Sequence, residues 1–493
     1  MARLTRRAAL LGSGAVLGGW LVSRFGANLP NLPPSSALDI PEGTILNDAS
    51  GLSPTPVHKH MVMTRSGTDL QDAIRAEMAD AAAQNRPVNI GAARHSMGGQ
   101  AIPRNGHALT FDNAEIEPDT ANGVYRVHAG ARWSQVISAL DAIGFSPKVM
   151  QSNNDFGVAA TFCVNAHGWP APLGPMGATV RAIDMILPSG DAIRASREEN
   201  ADIFNLTMGG YGLSGAITAL EVEMVPNRNL VPTFERMPAK AFGRLFEQAL
   251  TAPGLNMAYG RLNVGRANLF DEALMITYQP DADQSEVAPA SGSGWMSHAA
   301  RMIYRAQLGN ETMKRLRWWT ETSLGPAVGG GAVTRNSLIN EPVVTLDDRD
   351  PNRTDILHEY FVPLDQFAGF VDACRAIIPA SYQEFLNVTL RYVDSDPDSV
   401  LAYAPSPRIA TVMSFSQEMT ARAEADMQRM TRDLIEAMID LGGTYYLPYR
   451  PHAQPDQFVR AYPRATVFAQ AKRALDPNLL FRNNLWDSYL EPL

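Results

Sequence analysis

Three stretches of this chain are built largely from small residues, and they constrain its fold more than any other feature. The first, Gly91-Ala92-Ala93-Arg94-His95-Ser96-Met97-Gly98-Gly99, follows a short apolar strand, Pro87-Val-Asn-Ile90. The second is Thr161-Phe-Cys-Val-Asn165-Ala-His167-Gly168, continued by Gly174 and Gly177. The third is Gly210-Tyr-Gly-Leu-Ser-Gly215. Glycine admits left-handed backbone and lets a ligand lie against the main chain, and successive N–H groups in such a loop form an anion-binding concavity. The third stretch matches the G-x-G-x-x-G dinucleotide fingerprint, which needs a strand before it and a helix after it. Here Asp202 to Leu206 before it reads as helix, and Ala216 to Val225 after it alternates as a strand. The context is reversed, which excludes a nicotinamide Rossmann site. Three such loops together still point to a large phosphate-bearing cofactor.

At 493 residues the chain is long enough for two or three domains of about 100–200 residues each. Its 42 basic and 51 acidic residues give a net charge of −9. That balance argues against nucleic acid as the main partner, because phosphate backbones need a dense basic face. Two cysteines, Cys163 and Cys374, exclude a disulfide framework and a cysteine-rich metal site; they leave two buried thiols or a single bridge, and no metal site is predicted.

The N-terminus reads as an address. Residues 1–7 are positive, and 8–22 form an uncharged apolar run shorter than the roughly 20 residues that span a bilayer. Arg6-Arg7 before Ala8-Ala9-Leu10-Leu11 resembles a twin-arginine export signal, so residues 1–27 are read as signal or anchor and the protein as exported. The proline-rich stretch 28–43 is a linker. Residues 44–226 form a first domain, 227–440 a second, and 441–493 a C-terminal segment.

Periodicity predicts the elements. Thr68-Asp-Leu-Gln71 is a capping box opening a helix with Leu70, Ile74 and Met78 on its apolar face. Trp133, Val136, Ile137, Leu140 and Ile143 recur at helical spacing. Ala182 to Leu187 and Ala192 to Arg194 flank Pro188-Ser-Gly-Asp191 as a hairpin. Val124 to Ala129, His358 to Pro363 and Asn387 to Val393 read as strands, 281–294 as a loop, and Ala421 to Leu441 and Ala461 to Leu475 as helices. Arg301 to Trp319 reads as one helix with five basic residues and Trp318-Trp319 at its end. Either its basic face meets an anionic membrane, or its apolar residues pack and the basic ones are solvated.

In order along the chain, five blocks resemble the vanillyl-alcohol-oxidase flavoproteins, whose FAD domain is also called PCMH-type. They are Ile90-Gly91 through His95-Ser96 to Gln100, Val127 to Gly130, Gly157 through Asn165 to Gly168, Asp202 to Phe204, and Gly209 through Gly215 to Thr218. The resemblance covers 44–226, with a weaker echo in Tyr446-Leu-Pro448 and Lys472 to Pro477. It implies an α+β fold: a two-part FAD-binding domain with an α+β cap over the flavin. It implies cofactor contacts from Gly91, Ala92, Ala93, Arg94, His95, Ser96, Gly98, Gly99, Gly130, Gly157, Asn165, His167, Gly168, Gly174, Gly215 and Ile217. In many members a Gly-His-Ser histidine is bonded covalently to the flavin. That histidine matches His95, with Arg94 where members usually carry glycine. Cys163 is read as a small core residue.

The branch is mixed. His95 to Ala101 and Tyr446-Leu-Pro448 are similar to cytokinin dehydrogenases, and Ala166-His167-Gly168 to sugar-lactone and alditol oxidases. The latter carry Glu-x-Arg where this chain has Thr389-Leu-Arg391, and Pro-His-Trp-Gly-Lys where it has Pro451-His452-Ala-Gln-Pro455. The implied activity is hydride transfer to flavin from the CH–OH group of a sugar lactone, alditol or other alcohol, then to oxygen or a membrane electron carrier. Oxidation of a CH–NH group is one alternative; an exported flavin-binding or envelope protein with a decayed catalytic base is another. Candidate residues are His452 as base, because its ordinary pKa suits neutral pH, Arg391 for developing negative charge, and Glu359 for hydroxyls.

Overall fold

The computed structural model describes residues 35–38, 42–291, 304–342 and 350–493. The Arg6-Arg7 signal and residues 301–303 of the basic helix lie outside them. Among the described residues no helix is long and apolar enough to cross a membrane.

Up to Pro226 the chain builds a small antiparallel pair, Ile45–Leu46 with Thr55–Pro56, and two larger sheets. Strand Lys59–Met63 pairs in parallel with His107–Phe111, which pairs in parallel with Val88–Ile90. A six-stranded antiparallel sheet runs Ala192–Ser196, Val180–Ile186, Ala216–Pro226, Val124–His128, Ile116–Asp119, with Phe145–Pro147 on the far end of Ala216–Pro226. Helix Gly67–Ala83 buries Leu70, Ile74 and Met78, and helix Trp133–Asp141 buries Trp133, Val136, Ile137 and Leu140. The predicted hairpin closes at Gly190, whose φ of +90° suits glycine. Beyond Pro226 the chain enters an eight-stranded antiparallel sheet, Val333–Thr334, Asn229–Pro238, Glu272–Pro280, Met257–Leu262, Glu384–Val393, Arg408–Glu418, Arg353–Val362, Thr444–Tyr445. Helix Ala421–Asp440 covers part of it, capped by the Thr420 hydroxyl accepting from Ala423 N–H. The chain end returns to the first part, where Phe481 bridges Val88.

Several sequence expectations change. The first helix begins at Gly67 after Ser66, so Thr68 is already helical and its capping box does not form. Ile143 lies past the helix end and is 42% exposed. The helix expected from Arg301 to Trp319 is broken: Gly309 has φ +59°, and Asn310 caps a separate helix, Glu311–Trp319, by accepting from Met313 N–H. The last predicted helix, Ala461 to Leu475, starts only at Ala465, after Pro463, and Ala461 instead ends a separate helix, Pro455–Ala461; proline lacks the N–H a helix interior uses. The basic residues before Trp319 largely serve the interior. Arg305 pairs with Asp355, the fully buried Lys314 with Glu311 and Glu384, and Arg317 with Glu321. Trp318 is buried and donates to Glu272, and Trp319 is exposed. A basic face turned to a lipid surface is not what these contacts build.

Candidate active site

The loop leaving strand Val88–Ile90 starts the site. Gly91 N–H still bonds to Leu109 C=O in the parallel ladder, and Met97 N–H bonds to Pro448 C=O at 2.7 Å. Between them the backbone N–H groups of Ala92, Ala93, Arg94, His95 and Ser96 have no hydrogen-bond partner among the described residues. A run of free N–H groups this long is unusual inside a folded chain, and it supplies the donors a diphosphate requires. Arg94 occupies the left-handed region (φ +53°) that favours glycine. Its guanidinium reaches Thr110 Oγ1 at 3.0 Å and His60 Nε2 at 3.3 Å. The backbone shape of the motif is therefore kept without glycine.

The loop lines a cleft enclosing about 1450 Å³, open solvent at its mouth included. Gly91, Ala92, Ala93, Arg94, His95 and Ser96 lie on it, as do Gly157, His167, Gly215 and Ile217. A Cβ at Gly157 would stand 2.7 Å from Ala92 Cβ, and one at Gly215 (φ +145°) would stand 2.5 Å from Ile186 C=O. Ile90, Phe111, Ala159, Ala160 and Cys163 make the rest of this wall apolar. Cys163 is a half-buried free thiol whose pKa burial raises to about 12; Cys374 is fully buried and free. A flat, small-residue wall beside a row of unpaired donors fits an extended flavin dinucleotide.

The remaining expected contacts lie off the cleft. Gly98 and Gly99 donate to Gln100 and Asp48. Gly130 and Gly168 are places of close main-chain packing, with a Cβ 2.8 Å from Asn113 N and 1.9 Å from Met150 C=O, respectively. Asn165 bridges Asp396 and Gly177 N–H, and Gly174 packs against the main chain of Asp394 and Ser395.

His95 packs against Phe156 with the rings tilted by 33° and centroids 4.2 Å apart, and its Nε2 lies 3.7 Å from Asp155 Oδ2. Burial holds its imidazole pKa below the usual value, against the opposing pull of Asp155.

The eight-stranded sheet supplies the facing wall. Cross-strand register puts Glu359 opposite Val412, and Val412 opposite Thr389, in one row on one face; Phe361, Ala410 and Arg391 form the next. Glu359, Val412 and Arg391 line the cleft. Glu359 Oε1 meets His167 Nε2 at 2.5 Å, with both side chains at most 3% exposed. With Glu359 ionised this contact selects the Nε2–H tautomer of His167. Nδ1 of His167 has no partner among the described residues. Arg391 donates to Ser152 Oγ at 2.8 Å and to His167 C=O at 3.3 Å, and its Nε is unpartnered among the described residues. Burial, then Glu359, raises the Tyr449 hydroxyl pKa, so Tyr449 stays a neutral donor beside that carboxylate.

Thus Glu359 and Arg391 come together over the cleft. His452 does not join them. It is buried off the cleft, with Nε2 on Glu424 Oε1 at 2.8 Å and Nδ1 by Thr431 Oγ1 at 3.1 Å. Both ring nitrogens are occupied, and the histidine that meets Glu359 is His167. Sequence reading missed Tyr449, which directly follows the noticed Tyr446-Leu-Pro448, and the loop Gln151-Ser152-Asn153, which carries no motif.

Comparison with known proteins agrees with this cleft. Residues 68–196 match the model of an FAD binding domain. The chain is 26% identical over 147 residues to the mitochondrial L-galactono-1,4-lactone dehydrogenase of Arabidopsis thaliana, 30% of this chain and 24% of that one. It is 29% identical over 154 residues to the alditol oxidase of a Streptomyces species, covering 30% and 37%. It is 29% identical over 140 residues to cytokinin dehydrogenase 7 of Oryza sativa subsp. japonica, covering 27% and 26%. The match thus spans about a quarter to two fifths of these relatives' length. The chain carries a PCMH-type FAD binding domain, and FAD is its cofactor.

Proposed function

We propose that this protein is an FAD-dependent oxidoreductase that oxidises a CH–OH donor. The observation that carries this reading is the buried His167–Glu359 pair beside Arg391, on the cleft wall facing the free N–H groups of residues 92–96. Bound FAD supplies the acceptor for the hydride. Ala92 to Ser96 would hold its diphosphate, and His95 is proposed to carry it covalently. The second oxygen of Glu359 takes the hydroxyl proton of the donor, while Oε1 keeps its bond to His167 Nε2. His167 holds the carboxylate in place and shares its charge. Tyr449 donates from the far side, and Arg391 stabilises negative charge developing on the donor oxygen. The relatives' names point to lactones, alditols and cytokinins; the carboxylate and arginine favour an alcohol. Glu359, two strands from Thr389 in the same row, stands in for the carboxylate absent at 389.

Electrons then pass to oxygen or to a carrier. Export through Arg6-Arg7 belongs to the same proposal, tested by changing both to Lys and locating the protein. The activity is tested by mixing FAD-loaded protein anaerobically with a panel of alcohols, alditols and aldonolactones and following loss of visible flavin absorbance. Bleaching by at least one alcohol, lost in Glu359→Gln, is the expected result. Intact FAD that no donor reduces would leave a binding protein instead.

A further inference from the structure

Most polar groups around Glu359 are already taken by protein partners. Ser152 Oγ accepts from Arg391 at 2.8 Å and contacts Asn153 Oδ1 at 3.3 Å. Asn153 Nδ2 donates to Glu341 C=O at 3.2 Å, and Gln151 Nε2 donates to Asn153 C=O at 2.7 Å. The Tyr446 hydroxyl donates to Val164 C=O at 2.8 Å. What remains for a donor molecule, among the described residues lining this wall, is the second oxygen of Glu359 with the Tyr449 hydroxyl beside it, and three buried atoms without a protein partner, Gln151 Oε1, His167 Nδ1 and Arg391 Nε. The surface between them is apolar. Leu357 shares a strand face with Glu359, Val412 stands directly opposite it, and Pro448 closes the side.

An alditol or sugar lactone brings several hydroxyls besides the reacting one. Each hydroxyl buried without a partner weakens binding roughly 5- to 150-fold. Each methylene laid on the apolar wall strengthens it roughly fourfold.

We infer that the donor carries a single reacting hydroxyl on an otherwise apolar body. This rests on the alcohol-oxidising reading above and narrows it. The carbon loses its hydrogen with both bonding electrons to FAD, and the oxygen loses its proton to Glu359. The alcohol becomes a carbonyl compound and FAD is reduced; dioxygen or an electron carrier then removes the two electrons.

The test uses FAD-loaded protein in anaerobic stopped flow with two donor sets. One holds a pentitol and an aldono-1,4-lactone. The other holds primary alcohols with one hydroxyl on a hydrocarbon chain or ring, lengthened one methylene at a time. The second-order rate constant of flavin reduction is expected to exceed that of the pentitol at least tenfold, and to climb roughly fourfold per methylene until the wall is covered. Val412→Thr, which keeps the shape and exchanges a methyl for a hydroxyl, should lower the hydrocarbon rates about fivefold and the pentitol rate by less, narrowing the ratio between the two sets. If the pentitol or lactone is faster than every single-hydroxyl alcohol, the inference is overturned while alcohol oxidation stands. If neither set reduces the flavin, both are overturned.

Discussion

Removing His167 should do more damage to stability than removing the charge of Glu359, and removing both should do less than the sum. The two side chains are at most 3% exposed and share a 2.5 Å contact. His167→Ala leaves a carboxylate in a desolvated cleft without that bond, a change that costs about 3–5 kcal/mol when a buried pair loses one member. The ring also loses its packing on Phe361 and Tyr446, at 5.4 and 6.0 Å between centroids. Glu359→Gln keeps the shape and can still accept from His167 Nε2–H, so it should cost about 1–2 kcal/mol. In the double variant no charge is stranded, and the total should fall short of the sum by about 1–3 kcal/mol. The assay is urea unfolding followed by tryptophan fluorescence, comparing the first transition of the four proteins at one FAD loading. The rate of flavin reduction by the best donor should drop about 10²- to 10⁴-fold in either single variant and little further in the double. Additive stability losses, or a His167→Ala protein within 1 kcal/mol of the parent, would refute the idea that the pair is one desolvated unit.

His95→Ala should move flavin from the acid-precipitated pellet to the supernatant, measured by absorbance, with the fold retained by circular dichroism; equal soluble flavin in the parent would show that no bond forms. Gly215→Ala should lower stability by about 1–3 kcal/mol or more, because φ +145° and the contact with Ile186 C=O both oppose a side chain, and thermal unfolding reads it. The fully buried His358, whose pKa is lowered to about 3 first by burial and then by His452, predicts acid sensitivity. Its neutral form is the folded one, so this stability is complete above about pH 6.5 and is lost as pH falls from there toward 3. His358→Gln should flatten that part of the profile of urea midpoints against pH.

Sequence was most informative where structure is set by near neighbours. The loop 91–96 was legible because glycine and alanine directly after a strand allow the main chain to turn and a ligand to lie against it, and Arg94 takes the left-handed conformation there without glycine. The reversed context of Gly210 to Gly215 was decided correctly from flanking periodicity alone, helix Ala201–Thr207 before and strand Ala216–Pro226 after. Helix ends were misread at Thr68, Gly309 and Pro463, where a cap or a break shifts a boundary without changing the apolar period. The chemistry of the site was a matter for tertiary structure. His452 and His167 look alike in sequence, each a histidine in a turn-rich stretch, yet Glu424 and Thr431 occupy one while the other meets Glu359. Nothing local distinguishes them, because their partners lie 28, 21 and 192 residues away. Likewise the apparent loss of a carboxylate at Thr389 is a statement about one strand, whereas the cleft is read across strands. Register between Arg353–Val362, Arg408–Glu418 and Glu384–Val393 puts Glu359 in the same row, and that register exists only once the sheet has closed.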